Sequence, residues 1–490
     1  MLPNSVFVLV SIALIGRVIG MGLRYLLQFV IATGLGASAV GLFAVGLVAV
    51  KIGAQFARAG LNMAAEKYVS IYESEGDDPK LTGTILSTFL FSVVFGTVTV
   101  IALNLGLEVF EGVVGDYRPT VRRISIGVPL FALMMIGIHA TRGFKETKYS
   151  VYTRDFGQSG IALLLAVVSV VVFESLELVI YGYVLSLAFG TGLAVYYIYR
   201  LGGFEALRTP EFQSRTILAY SLPLLFAGVS TYAASWIDIV FLGVFVTPAD
   251  VGVYQIAFQT SMLLTVLLQA ANVIVPSLVA EAYSDGARTY LDGLYTAVTK
   301  WTAYLTLLVA LFVIAFATDL LALFGPEFTR GATTLTVLVL GQSVIAITGP
   351  SGVVLKMTDF ERLELYNSVG MVIANVSLNY VLIQSYGILG AAVATAVSLS
   401  ALNLARLLET RYFVGVVPYS RAYWKGAVAL LGPGMWFLLA AELSNGIVTM
   451  VGSGLVGALA FAVTIYTLGL EDDDRLLVEA IETDSSDIER

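Results

Sequence analysis

Residues 5–31 read SVFVLVSIALIGRVIGMGLRYLLQFVI, an apolar run in which the only charges are Arg17 and Arg24. A helix of about 20 residues, rising 1.5 Å per residue, crosses a hydrocarbon core about 30 Å thick, so this run is long enough to span a bilayer. That length fits spanning helices rather than barrel strands. Further runs of similar character give about fourteen spans in all, near 5–31, 39–57, 81–106, 121–141, 152–173, 178–199, 216–243, 251–276, 297–318, 332–355, 363–384, 388–410, 422–441 and 446–469. The first lacks a basic leader and a cleavage site, and reads as a retained helix.

The whole composition agrees. The chain has 490 residues, 58% hydrophobic and only 13% charged, against about 25% charged in soluble domains. Mean hydropathy is +0.87. The fold class is therefore an all-α integral membrane protein, multi-pass, with lipid as its solvent.

Cation placement orients it. Loops after even-numbered spans hold 18 arginines and lysines and those after odd-numbered spans hold 4, so the even loops and both termini are expected on the cytoplasmic side of the cell membrane. Trp301 and Trp424 fall at the resulting cytoplasmic helix starts, where an amphipathic ring suits the interface. The net charge of −8 gathers in Glu73–Asp78 and in the tail after Glu471, and the arginine-rich, lysine-poor exterior suits either an ordinary solvated surface or a high-salt cytoplasm.

At an offset of about 211 the chain repeats. Ala39-Val40-Gly41-Leu42-Phe43 matches Asp250-Val251-Gly252-Val253-Tyr254, and Ser74-Glu75-Gly76 matches Ser284-Asp285-Gly286. Each repeat then holds six helices, an even number, so both enter from the same side and the repeat is parallel. The expected organisation is a six-helix lobe over 1–205, a second over 206–412, two extra helices over 413–470 and an acidic cytoplasmic tail over 471–490. A substrate path is expected between the lobes.

Several reaction classes are excluded. With no cysteine and one histidine, His139, neither a thiolate nor a zinc site is expected. No Gly-rich loop ends in Gly-Lys-Ser/Thr, so no nucleotide hydrolysis is expected, and no cofactor or nucleic-acid partner. Paired acids and large loops that an embedded enzyme would need are missing from the sequence, which argues for transport over catalysis.

The polar residues inside the spans carry what chemistry there is. Arg17 and Arg24 are seven residues apart, about two turns and about 10 Å, on one helix face. Lys51 and Arg58 repeat the spacing in the second span, with Arg58 expected at the cytoplasmic surface. A cation at helix centre costs about 2.5 to 3.5 kcal/mol in lipid, so these should face a wet cavity or a counter-ion. No acid accompanies Arg17 and Arg24 in their own span, which favours the cavity and an anionic substrate. Asp238 is the acid deep in the seventh span, either an ion-pair partner or a coupling-cation site, and Pro223 should kink the same helix. Gln28 joins the candidate cavity, as do Asn375 and Asn379, one turn apart in the eleventh span, where hydrogen bonding between helices competes with sugar binding as their role.

Gly16-Arg17, Arg24-Tyr25-Leu26-Leu27-Gln28-Phe29, Val40-Gly41-Leu42-Phe43, Ser221-Leu222-Pro223, Ile237-Asp238, Val251-Gly252-Val253-Tyr254 and Tyr386-Gly387-Ile388-Leu389-Gly390-Ala391-Ala392 together resemble the polysaccharide biosynthesis (oligosaccharide flippase) family of the multidrug/oligosaccharidyl-lipid/polysaccharide exporter superfamily. The resemblance covers roughly 5–470. It implies two six-helix lobes opening alternately to each side, and a cationic cavity receiving the phosphate of a polyprenyl-phosphate-linked sugar from the membrane lipid. Arg17 and Arg24 match the basic first helix and Asp238 the acid of the seventh. Ile239 departs from the pattern where a basic residue would follow that acid. A cation-coupled drug extruder of the same superfamily would need a carboxylate where the first helix offers arginines.

Overall fold

The computed structural model describes residues 4–443, 446–469, 471 and 474. Among these the regular structure is helical, and no strand occurs. Nine helices of the described residues are long and apolar enough to span a membrane, or ten if the pair Gly115–Ile124 and Gly127–Gly143, bent by 48°, is one span. The protein is thus a multi-pass membrane protein.

Two of the nine are far longer than one crossing requires. Gly16–Arg58 has 43 residues and Glu361–Val414 has 54. Each contains a glycine with non-helical torsions, Gly36 (φ 80°, ψ 178°) and Gly387 (φ 56°, ψ −131°). A side chain disfavours such positive φ, so glycine lets the chain turn between two apolar runs without a loop. The element Ser214–Phe245 is helical on both sides of Pro223.

The chain forms two compact units, Asn4–Gly252 and Val253–Arg490. In the first, the stretch around Lys67 that reads as a loop folds as the helix Leu61–Glu75. Its apolar residues Leu61, Ala64, Ala65 and Val69 recur at helical spacing and pack on Leu81, Ile85, Ile136, Ala140, Ile198 and Ile217. Gly60 starts it with φ 79°, and a Cβ there would lie 2.3 Å from the carbonyl oxygen of Ser221.

Within this unit Gly41 and Gly252 each lie against backbone. A Cβ on Gly41 would lie 1.8 Å from the Pro248 carbonyl oxygen, and one on Gly252 would lie 1.9 Å from that of Ala37. The offset of 211 takes Ala37 to Pro248 and Gly41 to Gly252.

In the second unit, Val275, Val279, Leu291, Leu294, Tyr295 and Val354 form one core. Another, around Tyr304, Leu308, Phe316, Phe437, Met450 and Phe461, seats the helices Tyr423–Glu442 and Ile447–Leu468 against Arg288–Ala315. Their outer faces are apolar and bare, with Val448 83% and Leu455 69% exposed, as expected of surfaces solvated by lipid tails.

Candidate functional site

The first helix lays one face on the segment 151–171. Gly16, Gly20 and Arg24 recur every four residues, which places them on that face. A Cβ on Gly16 would meet Val151 at 2.1 Å, one on Gly20 would meet Asp155 at 2.6 Å, and one on Gly34 would meet Val170 at 2.0 Å. These glycines bring the backbone close enough for Arg24 to reach across. Arg24 Nη1 donates to Asp155 Oδ1 at 3.1 Å and to Ser159 Oγ at 3.3 Å.

Asp155 is 2% exposed. It lies in a wide π-helical stretch, Val151–Gln158, a geometry often found at functional positions. Arg154 completes the cluster, its Nε donating to Asp155 Oδ1 at 3.2 Å and its Nη2 to Oδ2 at 3.4 Å. Ser159 Oγ donates to the Arg154 carbonyl at 3.0 Å, fixing the turn. Two guanidiniums share one carboxylate, so the cluster keeps a net positive charge. Arg24, whose side chain is 41% exposed, has part of its fork left for another anion.

Sequence reasoning missed Asp155 because it falls at the start of the run 152–173, where Arg154 was counted with the cytoplasmic cations. The acid missing from the first span is supplied by a different helix. The four-residue spacing of Gly16, Gly20, Arg24 and Gln28 was the available signal that this face is a contact.

Lys51 lies within electrostatic reach of Arg24, with its Nζ 3.8 Å from the centre of the Trp236 ring. The ring's negative face partly replaces a counter-ion. Gln28 is buried one turn beyond Arg24, and among the described residues its Oε1 has no hydrogen-bond partner. Arg17 is exposed, within electrostatic reach of Arg142. Asp238 is 5% exposed, and its Oδ1 accepts from the Ile239 amide at 2.9 Å. Arg17, Arg24, Gln28, Lys51 and Asp238 all belong to the first unit. Asn375 and Asn379 belong to the second, where both are buried and Asn379 Nδ2 donates to the Asn375 carbonyl at 2.9 Å and Oδ1 at 3.1 Å.

Arg58 corrects an expectation. It is 3% exposed, not at a water surface, and its Nε donates to the Ala54 carbonyl while its Nη2 bonds the Gln55 side chain. Burial follows from tight packing, because a Cβ on Gly228 would come 1.7 Å from Gln55 Nε2. His139 has a partner of its own: its Nδ1 lies 2.6 Å from Glu66 Oε2, a hydrogen bond that holds the Glu66 carboxyl below its ordinary range.

A family model described as polysaccharide biosynthesis protein matches residues 5–280, more than half of the chain. The chain belongs to the polysaccharide biosynthesis protein family. A second model, MatE, matches 223–381. Among curated relatives of this chain is one from Haloferax volcanii named a probable low-salt glycan biosynthesis flippase, Agl15. It is 26% identical over 471 residues, covering 92% of this chain and 93% of its own. Two solved structures share the fold. The lipid II flippase MurJ in an inward closed conformation gives a TM-score of 0.71 at 14% identity, over 94% of this chain and 98% of its own. An inward-facing multidrug resistance MATE transporter gives 0.70 at 17% identity, over 81% and 94%.

Proposed function

We propose that this protein is a flippase that carries a lipid-linked oligosaccharide or polysaccharide precursor across the cell membrane by alternating access. One observation carries the reading: in the first unit the guanidiniums of Arg24 and Arg154 share a single carboxylate, Asp155, and Lys51 lies within electrostatic reach of Arg24, an excess of positive charge suited to a phosphate. The substrate class is a polyprenyl-phosphate-linked sugar, whose phosphate meets Arg24 and Arg17. The names of the Haloferax relative and of the lipid II flippase accord with it.

The proposed architecture is fourteen spans in two parallel six-helix repeats, 1–205 and 206–412, followed by two extra helices over 413–470 and a tail, with both termini cytoplasmic. Support comes from the repeat of the motif at Gly41 in that at Gly252, and from the glycine breaks at Gly36 and Gly387, which divide two long helices into four candidate spans. A second reading, a cation-coupled multidrug extruder, draws on the MatE match. The sign of the charge around Arg24 disfavours it.

The discriminating experiment uses purified protein in sealed vesicles. Labelled lipid-linked oligosaccharide should move between leaflets and a cationic dye should not be pumped. Dye accumulation driven by a proton or sodium gradient, without glycolipid movement, would reverse the assignment.

Asp238 supplies a second test. If its charge balances nearby cations, Asp238→Asn keeps the hydrogen-bonding shape and most transport, while Asp238→Lys adds a repelled charge in a low-dielectric site and abolishes it. Complete loss with Asn at normal abundance would instead assign Asp238 to a coupling cation.

A further inference from the structure

The acidic tail reads as a solvated run, yet Glu471 and Asp474 are docked. Ile447–Leu468 ends at Gly469, where φ of 77° turns the chain back. Asp474 then enters a pocket lined by Lys300, Trp301, Tyr304, Ala422, Lys425 and Ile465. Lys300 Nζ lies 2.6 Å from Asp474 Oδ1, and Trp301 Nε1 donates to the same oxygen at 2.7 Å. Asp474 Oδ2 accepts from the Glu471 amide at 2.8 Å, and Lys425 Nζ lies 2.9 Å from Glu471 Oε1. Lys300 is 3% exposed and Asp474 6%.

The pocket wall offers donors that any oxyanion could use. Two ammonium groups and an indole N–H carry no acceptor, so a carboxylate and a phosphate meet the same hydrogens there. Its position adds the second constraint. The pocket lies where the apolar part of Arg288–Ala315 begins, beside the start of Tyr423–Glu442 and the end of Ile447–Leu468. Ends of spanning helices marked by Trp301, exposed Trp424 and two lysines define headgroup depth. The remaining cavity is about 10 Å³, room for a water and no more, so a headgroup can enter only by displacing Asp474.

We propose that Lys300, Lys425 and Trp301 form an oxyanion site for the phosphate of an anionic lipid headgroup, closed by the chain's own Asp474 and Glu471. The tail is a plug that competes with the surrounding leaflet. This site does not depend on the transport reading.

The test uses the full chain in lipid nanodiscs of phosphatidylcholine with or without phosphatidylglycerol. In the wild type, phosphatidylglycerol should speed cleavage after Glu471 by a glutamate-specific protease several-fold, because the carboxylates leave the pocket. The Glu471→Gln, Asp474→Asn variant should bind phosphatidylglycerol roughly tenfold tighter than wild type by native mass spectrometry. Asp474→Glu should bind like wild type, and adding Lys300→Gln should remove the tenfold gain. Cleavage unchanged by phosphatidylglycerol, or a gain that survives Lys300→Gln, would overturn the proposal. Inorganic phosphate binding the plug variant as tightly as phosphatidylglycerol would overturn the lipid assignment.

Discussion

Arg24→Ala is expected to abolish export of the lipid-linked sugar, and Arg24→Lys to keep only part of it. Arginine's planar fork can bond Asp155 and Ser159 through Nη1 and still offer its remaining donors to a phosphate, which a lysine's point charge does not reproduce. Asp155→Ala is expected to be as severe, since it leaves the guanidiniums of Arg24 and Arg154 without their shared acceptor. Removing one partner of a fully buried ion pair costs about 3–5 kcal/mol. With Arg24 41% exposed, solvent screens the loss, and about 1–3 kcal/mol is the appropriate expectation. The measurement is sugar-chain export in cells against membrane abundance of each variant. Abundant protein without export places the effect on substrate. Full export by an abundant Arg17→Ala, Arg24→Ala double variant would falsify the phosphate role.

The other large effect is expected at Gly41. A valine there puts its Cβ 1.8 Å from the Pro248 carbonyl oxygen and 2.9 Å from the Gly252 amide nitrogen. Both are backbone atoms of a helix start, so no rotamer change relieves the clash and the two segments must separate. Overpacking of a tight interior costs about 1–3 kcal/mol, and more when backbone has to move. Gly41→Val should therefore lower the unfolding temperature in detergent sharply and abolish transport. Gly252→Val should do the same, its Cβ falling 1.9 Å from the Ala37 carbonyl oxygen. Gly22→Ala is the control. Nothing lies within 4 Å of its Cβ, so stability should hold or rise slightly from the better helix propensity of alanine. A Gly41→Val protein as stable as Gly22→Ala would refute the close approach.

That the chain crosses a membrane several times as helices was legible, because lipid demands an unbroken apolar length, and length is a property of consecutive residues. So was the separation of the runs 5–31 and 39–57, and of 363–384 and 388–410, though not that single residues, Gly36 and Gly387, make the breaks. Leu61–Glu75 was legible too, in its apolar spacing, but counting charges alone made it a loop. Arg24 could be singled out as a cation that lipid would not tolerate. Its carboxylate could not be found the same way.

Sequence by itself determined the solvent, the helical class, the family and the sign of charge in the first helix, since each is written in composition or in short-range order. Only the tertiary structure decided which charges are satisfied and by whom. Arg24 and Asp155 are 131 positions apart, Trp301 and Asp474 are 173 apart, and Lys51 finds an indole rather than an acid. The physical reason is that a buried charge requires a counter-charge or donor within about 4 Å in space, whatever its distance along the chain. Which helix face comes within that range is set by where glycines such as Gly16 and Gly20 let two backbones approach.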